Sequence, residues 1–343
     1  MKHLFVCTAI VAGTFFSTAA TAQNFENAGE YMDYISVQQK NITQKFLSYN
    51  SAVSHGKRAK KVEKLREKLL DEVQESKMNI SSMPKFKGDA GYRDTSANFL
   101  KFYYNVLNDD YSKIVNMEEI AEQSYDEMEA YLMLQEQIDK KLEEANDRMK
   151  KAQKEFAAKN NINLIESKDE MGEKMETVGK VNEHYHLVYL TFFKPYLQEQ
   201  NLGKAIAKGN VSGIEQDKNA LLKYAQEALV KLETIKAFEG DNSLKAACKQ
   251  LMQFYIKEAN DYMKPIIDFV MVKERFESIK KDYEKKSDHT QADVDAYNKA
   301  VNDINAASNK YNEANKNMYE VGKENLDNWN KSVNAYFDEH MPR

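Results

Sequence analysis

Breakers are scarce in this chain: four prolines and twelve glycines stand among 343 residues. So few interruptions, beside plentiful Lys, Glu, Ala, Asn, Met and Tyr, exclude a loop-rich or sheet-rich fold and point to an all-α protein. Cysteine is scarcer still. There are two, and only Cys248 lies beyond the first ten residues, so a chain that has lost its leader can form no internal disulfide. Charge of one sign is also missing: 49 Lys and Arg face 54 Asp and Glu, a net of −5. Nucleic-acid binders carry a basic surplus that this chain lacks. No apolar run reaches the roughly 20 residues needed to cross a bilayer. Aromatic side chains are abundant instead, with twenty Tyr and sixteen Phe to build a core, and that argues against disorder.

The first residues read as an export signal. Met1-Lys2-His3 is a short basic stretch, Leu4 to Phe16 is apolar, and Ala20-Thr21-Ala22 offers small residues ahead of Gln23. Cleavage after Ala22 makes residues 1–22 a signal peptide. Cys7 follows Val6 and lies too early for a lipid-anchoring cysteine. The mature chain is therefore expected to be exported without a lipid anchor and without a transmembrane segment. Periplasm and outer surface are both open.

One stretch is present twice. Phe86-Lys87-Gly88-Asp89 returns as Phe238-Glu239-Gly240-Asp241, and from Phe86 to Ile114 eight of 29 positions are identical to the second copy. Phe102-Tyr103 meets Phe254-Tyr255, Asn108-Asp109 meets Asn260-Asp261, and Cys248 meets Ser96. Self-similarity at a fixed offset signals repeated structural units. The expected architecture is two tandem copies of a four-helix unit of long helices, elongated, with copies at 23–163 and 164–343 and a boundary at Asn160–Asn163.

Apolar residues at steps of three and four predict the helices. In the first copy they run over 25–53, 57–83, 90–114 and 117–159. In the second they run over 166–206, 214–236, 242–283 and 290–337. Pro195 is expected to bend or restart its helix and Pro265 to kink the next. Gly209 and Gly213 mark a connector. Thr290 and Asp293 resemble a capping box. In the Phe-x-Gly-Asp corner, Gly88 and Gly240 supply the positive φ that commonly closes a helix, and Asp89 and Asp241 can cap the next one. In the last helix, Ile304, Ala307, Lys310, Ala314 and Met318 match Leu142, Ala145, Arg148, Ala152 and Phe156, which requires about ten extra residues near Ser287.

Chemistry-bearing patterns are few. Glu183 and His186 form Glu-x-x-His, the spacing that sets two metal ligands on one helical face in di-iron bundles. Such a site needs a second motif and two more carboxylates. Aligning Val37 with Val181 sets Gln39 and Ile42 opposite the pair, so the first copy supplies no partner. A hydrogen-bonded polar cluster is the other reading. A basic run, Lys57, Arg58, Lys60, Lys61, Lys64, Arg66 and Lys68, suits either an anionic envelope surface or a solvated face with local pairing to Glu63 and Glu67. The tyrosines suit sugar stacking but recur at core spacing. No His-Glu-x-x-His, Gly-rich phosphate loop or Gly-x-Ser-x-Gly is present, and no cofactor is implied.

Tyr31-x-x-Tyr34-Ile35, the turn Met83-Pro84-x-Phe86-x-Gly88-Asp89 and the Phe-Tyr helix after it resemble the leptospiral-type surface protein family of exported bacterial proteins. The resemblance implies a helical surface protein without an assigned activity and carries no catalytic residue over. Two readings stay open. One is a non-enzymatic binding or scaffold protein of the envelope, with an unknown envelope or extracellular ligand. The other is a metal-binding helical bundle using Glu183 and His186.

Overall fold

The computed structural model describes residues 25–54, 59–110, 124–164 and 170–342. The signal peptide and Cys7, together with Lys57, Arg58, Ile114 and Met117, lie outside them. Among the described residues the chain is all-α. Its helices are α1 (Ala28–Ser54), α2 (Ala59–Ser82), α3 (Gly91–Asn105), α4 (Tyr125–Lys159), α5 (Glu170–Lys208), α6 (Val211–Thr234), α7 (Ser243–Lys257), α8 (Met263–Glu284) and α9 (Gln291–His340). Two π segments, Val106–Asp110 and Glu258–Tyr262, follow α3 and α7. None of these helices is long and apolar enough to cross a membrane.

Element boundaries recur at one spacing. α2, α3 and the first π segment reappear 152 positions later as α6, α7 and the second π segment, each with an unchanged length. The buried faces correspond as well: Leu69, Val73, Ile80 and Met83 in one half, Leu221, Ala225, Leu232 and Ile235 in the other. Each set falls on one helical stripe, which has no stability until it is buried against a neighbour.

The Phe-x-Gly-Asp corner is a two-residue reversal. Phe86 and Asp89 exchange both backbone hydrogen bonds at 3.0 and 2.9 Å, and Phe238 and Asp241 do so at 3.0 and 2.8 Å. Both central residues have positive φ: 49° at Lys87, 85° at Gly88, 49° at Glu239 and 93° at Gly240. That is the type I′ geometry of tight hairpins. The glycines therefore do not close a helix, because α2 and α6 have already ended at Ser82 and Thr234. The aspartates do reach the next helix. Asp89 Oδ1 accepts from the Gly91 N–H and Asp241 Oδ1 from the Ser243 N–H, both at 2.7 Å.

Several expectations change. α5 continues through Pro195 without restarting, held by Val188, Phe192, Phe193 and Leu202, which are buried on both sides of the proline. The break before α8 is a π segment ending at Tyr262. Pro265 alone does not explain it, because the equivalent first-half segment forms with Lys113 at the matching position. Gly209, at φ 65°, ends α5, whereas Gly213 belongs to the first turn of α6 and donates to the Asn210 cap. The Thr290–Asp293 capping box forms in both directions.

Among the described residues two large cores form, with a small cluster of Val106, Phe102, Leu134 and Leu142 besides. One gathers Tyr31, Ile35, Leu69, Leu100 and Phe156; the other gathers Val181, Phe192, Leu221, Leu251, Trp329 and Phe337. They are not separated at residues 160–163. Met128 and Leu132 of α4 belong to the second core, and Phe46 packs against both. Lys194 lies over the rings of Tyr125 and Tyr224 at 5.0 and 4.3 Å.

A Cβ added at Gly88 or Gly240 meets nothing within 4 Å, so only the backbone opposes it. Gly88→Ala and Gly240→Ala should each cost about 1 kcal/mol through the left-handed φ. Gly203→Ala, in open space on α5 without a positive φ, should stabilise by roughly 0.5–1 kcal/mol. Chemical denaturation of the three variants checks this; a stabilising corner substitution would overturn the turn assignment.

Candidate functional site

The Glu183–His186 pair lies on α5. Glu183 is exposed and His186 is half-buried, where burial pushes the imidazole pKa down. Among the described residues, no third His, Cys, Asp or Glu gathers at this pair. The only such group of three among the described residues is Asp241, Glu339 and His340, whose ligand-type atoms lie within 4.8 Å of one another.

That group belongs to the second corner, and the first corner shows how it is built. In the first, the Tyr31 hydroxyl donates to the Pro84 carbonyl at 3.0 Å. Arg93 donates to the Met83 carbonyl at 2.7 Å, and Lys159 pairs with Asp89 at 2.9 Å. Phe86 packs against the rings of Tyr31 and Phe156. In the second, His184 Nε2 donates to the Lys236 carbonyl at 3.1 Å and Lys245 donates to the Ile235 carbonyl. His340 Nε2 meets Asp241 Oδ2 at 2.9 Å, and Phe238 packs against His184 and Tyr336. The architecture is the same and the Phe and Asp are kept; the side chains around them differ, with His340 one position beyond the counterpart of Lys159.

These contacts correct two alignments. His184 occupies the place of Tyr31, so Glu30 and Asp33 oppose Glu183 and His186. Matching Val37 to Val181 would set a residue 52% exposed against one with no exposure. Phe156 corresponds to Tyr336 rather than Met318. The earlier match is displaced by 18 residues, five turns at 3.6 residues per turn, and so it preserved the helical face while missing the level.

Because Nε2 of His184 donates to a carbonyl, its neutral ring presents Nδ1 as a bare acceptor. That atom is buried with no hydrogen-bond partner. Burial lowers the His184 pKa despite the Lys236 carbonyl. Burial works to raise the Asp241 pKa, but hydrogen bonds from the Ser243 N–H, His340 and the Ser243 hydroxyl outweigh it and hold the carboxyl below its usual range.

A second difference between the halves lies in the interior. Glu258 opens the second π segment at 2% exposure, where the first half has buried Val106. Its Oε2 has no hydrogen-bond partner. Burial, reinforced by the Glu199 carboxylate, pushes its pKa up to about 8. Burial also raises Glu199, whose place in the first half is taken by Phe46. Two apolar side chains thus stand where the second half has two acids. π segments within α-helices often accompany functional sites.

Cys248 is fully buried, and burial pushes its thiol up to about 12, which leaves it inert as a nucleophile. Arg66 of the basic run is engaged locally. It pairs with Glu63 at 2.7 Å and donates to the Leu107 carbonyl in the first π segment at 3.3 Å. Lys60, Lys61, Lys64 and Lys68 are exposed. Comparison with known proteins found no matching family model, no similar curated protein and no similar solved structure.

Asp241 was legible in the sequence as a corner residue. His340 and Glu339 were not, because only the corrected register of α9 brings them to the corner. Glu258 could have been found from the repeat itself, as an acid aligned with a valine.

Glu258 yields a pH prediction. Its folded pKa is above the ordinary carboxylate value, so the folded state holds a proton that the unfolded chain releases, and stability falls as pH rises from about 4.5 to about 8. Glu258→Val and Glu258→Gln should remove this slope. Their advantage over the parent should widen across the window to on the order of a few kcal/mol and level off above pH 8. A pH-independent difference in urea midpoints would overturn the assignment.

Proposed function

We propose that the chain is an exported, non-enzymatic binding or scaffold protein of the bacterial envelope, built from two copies of a four-helix unit. In this reading its partner is met by the hairpin of α8 and α9. The observation that carries it is a lack of cover: from Met271 to Glu313, Ala300 is the only buried residue. The hairpin is held by its own seam. Val272, Phe276, Ile279 and Tyr283 on α8 face Val294, Tyr297, Val301 and Ile304 on α9, at alternating steps of three and four, as in coiled coils. Tyr283 stacks on Tyr297 at 4.6 Å and on His289 at 3.8 Å. All of these side chains except exposed His289 are only half-buried, so the seam keeps an open side on which a helical partner can lie.

Length supports the same reading. Tyr262 to Tyr336 spans 28 residues more than Asp110 to Phe156, the stretch that corresponds to it. The insertion near Ser287 is therefore 28 residues rather than ten. Shared between two helices, it extends the hairpin by about 21 Å at 1.5 Å per residue. The leader at residues 1–22 and the resemblance to exported surface proteins agree with an envelope location.

A variant with residues 273–307 replaced by a short turn should keep the thermal unfolding of both cores, followed by circular dichroism. It should lose the partner that the intact chain recovers from envelope extract. Recovery of that partner by the shortened chain, or no partner for the intact one, would overturn the proposal.

A further inference from the structure

The two corners differ in charge, and the difference points to a ligand. In the first, the Lys159 ammonium at the last residue of α4 neutralises Asp89. In the second, the last residue of α9 is His340, and in the register that sets Phe156 against Tyr336 it stands where the first half has Asn160, with Glu339 in the place of Lys159. One fixed cation has been exchanged for a carboxylate and an amide for an imidazole. The other cation is common to both corners, as Arg93 or Lys245, and each reaches a backbone carbonyl. The second corner therefore has two carboxylates and an imidazole nitrogen where the first has a lysine–aspartate ion pair.

We propose that Asp241, Glu339 and His340 bind one divalent transition-metal ion of the zinc class. Carboxylate oxygens and an imidazole nitrogen are ordinary ligands of that ion, and three protein ligands with a fourth position open are a common arrangement. Their donor atoms already lie within 4.8 Å of one another. His340 Nε2 and Asp241 Oδ2 are 2.9 Å apart, whereas ligands about 2.1 Å from a tetrahedral metal are about 3.4 Å apart. A metal replacing the proton they share therefore needs an opening of about half an ångström. The place also suits a cation, because the carbonyl end of α9 carries the negative end of the helix dipole.

An independent observation lies beside the group. His184 replaces Tyr31 and is 9% exposed, and its Nδ1 is the one buried ring nitrogen without a partner among the described residues. Its ring and that of His340 both pack against Phe238 and Tyr336. The second corner has thus gained two imidazoles and one carboxylate relative to the first. Asp241 is kept in place for the metal by Ser243, whose N–H and hydroxyl it accepts at 2.7 and 3.0 Å.

The test uses the untagged full chain and zinc alone. Titration calorimetry should find one equivalent per chain and not two, because the Lys159–Asp89 corner offers no site, and zinc should raise the melting temperature. His340→Lys rebuilds the first corner's ion pair on Asp241 and so should fold. Glu339→Ala removes one of the three donors at an exposed position, where loss of the side chain leaves the packing intact. Each should weaken zinc binding at least roughly tenfold while leaving the metal-free melting temperature close to the parent's. No stoichiometric binding by the parent, or undiminished binding by either variant, would overturn the proposal.

Discussion

The rest of the structure depends on a backbone constraint: two residues of positive φ reverse the chain between α2 and α3, and again between α6 and α7. The reversal sets the level and rotation at which the following helix packs back on the preceding one. It also drives a phenylalanine, Phe86 or Phe238, into the end of its bundle, where helices distant in sequence converge on one ring. Tyr31 and Phe156 meet Phe86, and His184 and Tyr336 meet Phe238. Four helices are thereby tied at one end by one side chain. The ties to the carbonyls before the turn, from Tyr31 and Arg93 or from His184 and Lys245, satisfy polar groups that have left helix α2 or α6 and would otherwise be orphaned.

Once geometry is held this way, the chemistry of the tying side chains is free to vary. A phenol and an imidazole each provide one donor in the same place; an ammonium and an imidazole each reach the same aspartate. The first half uses this freedom conservatively, with permanent charges paired and an apolar interior at Phe46 and Val106. The second half places titratable groups in both positions: histidines at the corner and acids at the π segment. Burial raises the pKa of both acids, a source of pH dependence for which Phe46 and Val106 supply no counterpart.

Helix existence, the corner and the capping box were legible in the sequence because each rests on local chemistry: apolar spacing, a glycine where φ is positive, a hydroxyl three residues before an acid. Register was not legible. Helical periodicity repeats every 3.6 residues, so an alignment wrong by five turns still lays apolar on apolar, and only the ring contacts of Tyr336 discriminate. The π segments were invisible for a related reason. One extra residue per turn leaves no mark in composition, and Pro265 drew attention to a break that the first half forms without proline. Glu183 and His186 had motif spacing on one helix, while Asp241, Glu339 and His340 are joined only by the packing of α9 against the corner. A group assembled from two distant elements has no spacing to read.

If, as proposed, the second half has gained residues, the same periodicity explains where they could be added. Adding residues to one helix of a packed pair moves its far end relative to its partner, and the faces disagree unless both helices grow together. Twenty-eight residues divided between α8 and α9 are 14 on each side, close to four turns of 3.6. Such an addition returns each helix to nearly its original face, so the seam continues from Phe269 and Tyr311, whose rings are 4.6 Å apart, out to Tyr283 and Tyr297. The core below need not repack. Growth by near-whole turns at the loop end is therefore the cheap direction for a helical hairpin, and the new surface it creates is under no obligation to any core. In the proposed reading, that separation places freedom to meet a partner on the hairpin and leaves the corner at the opposite end of α9 to hold the fold.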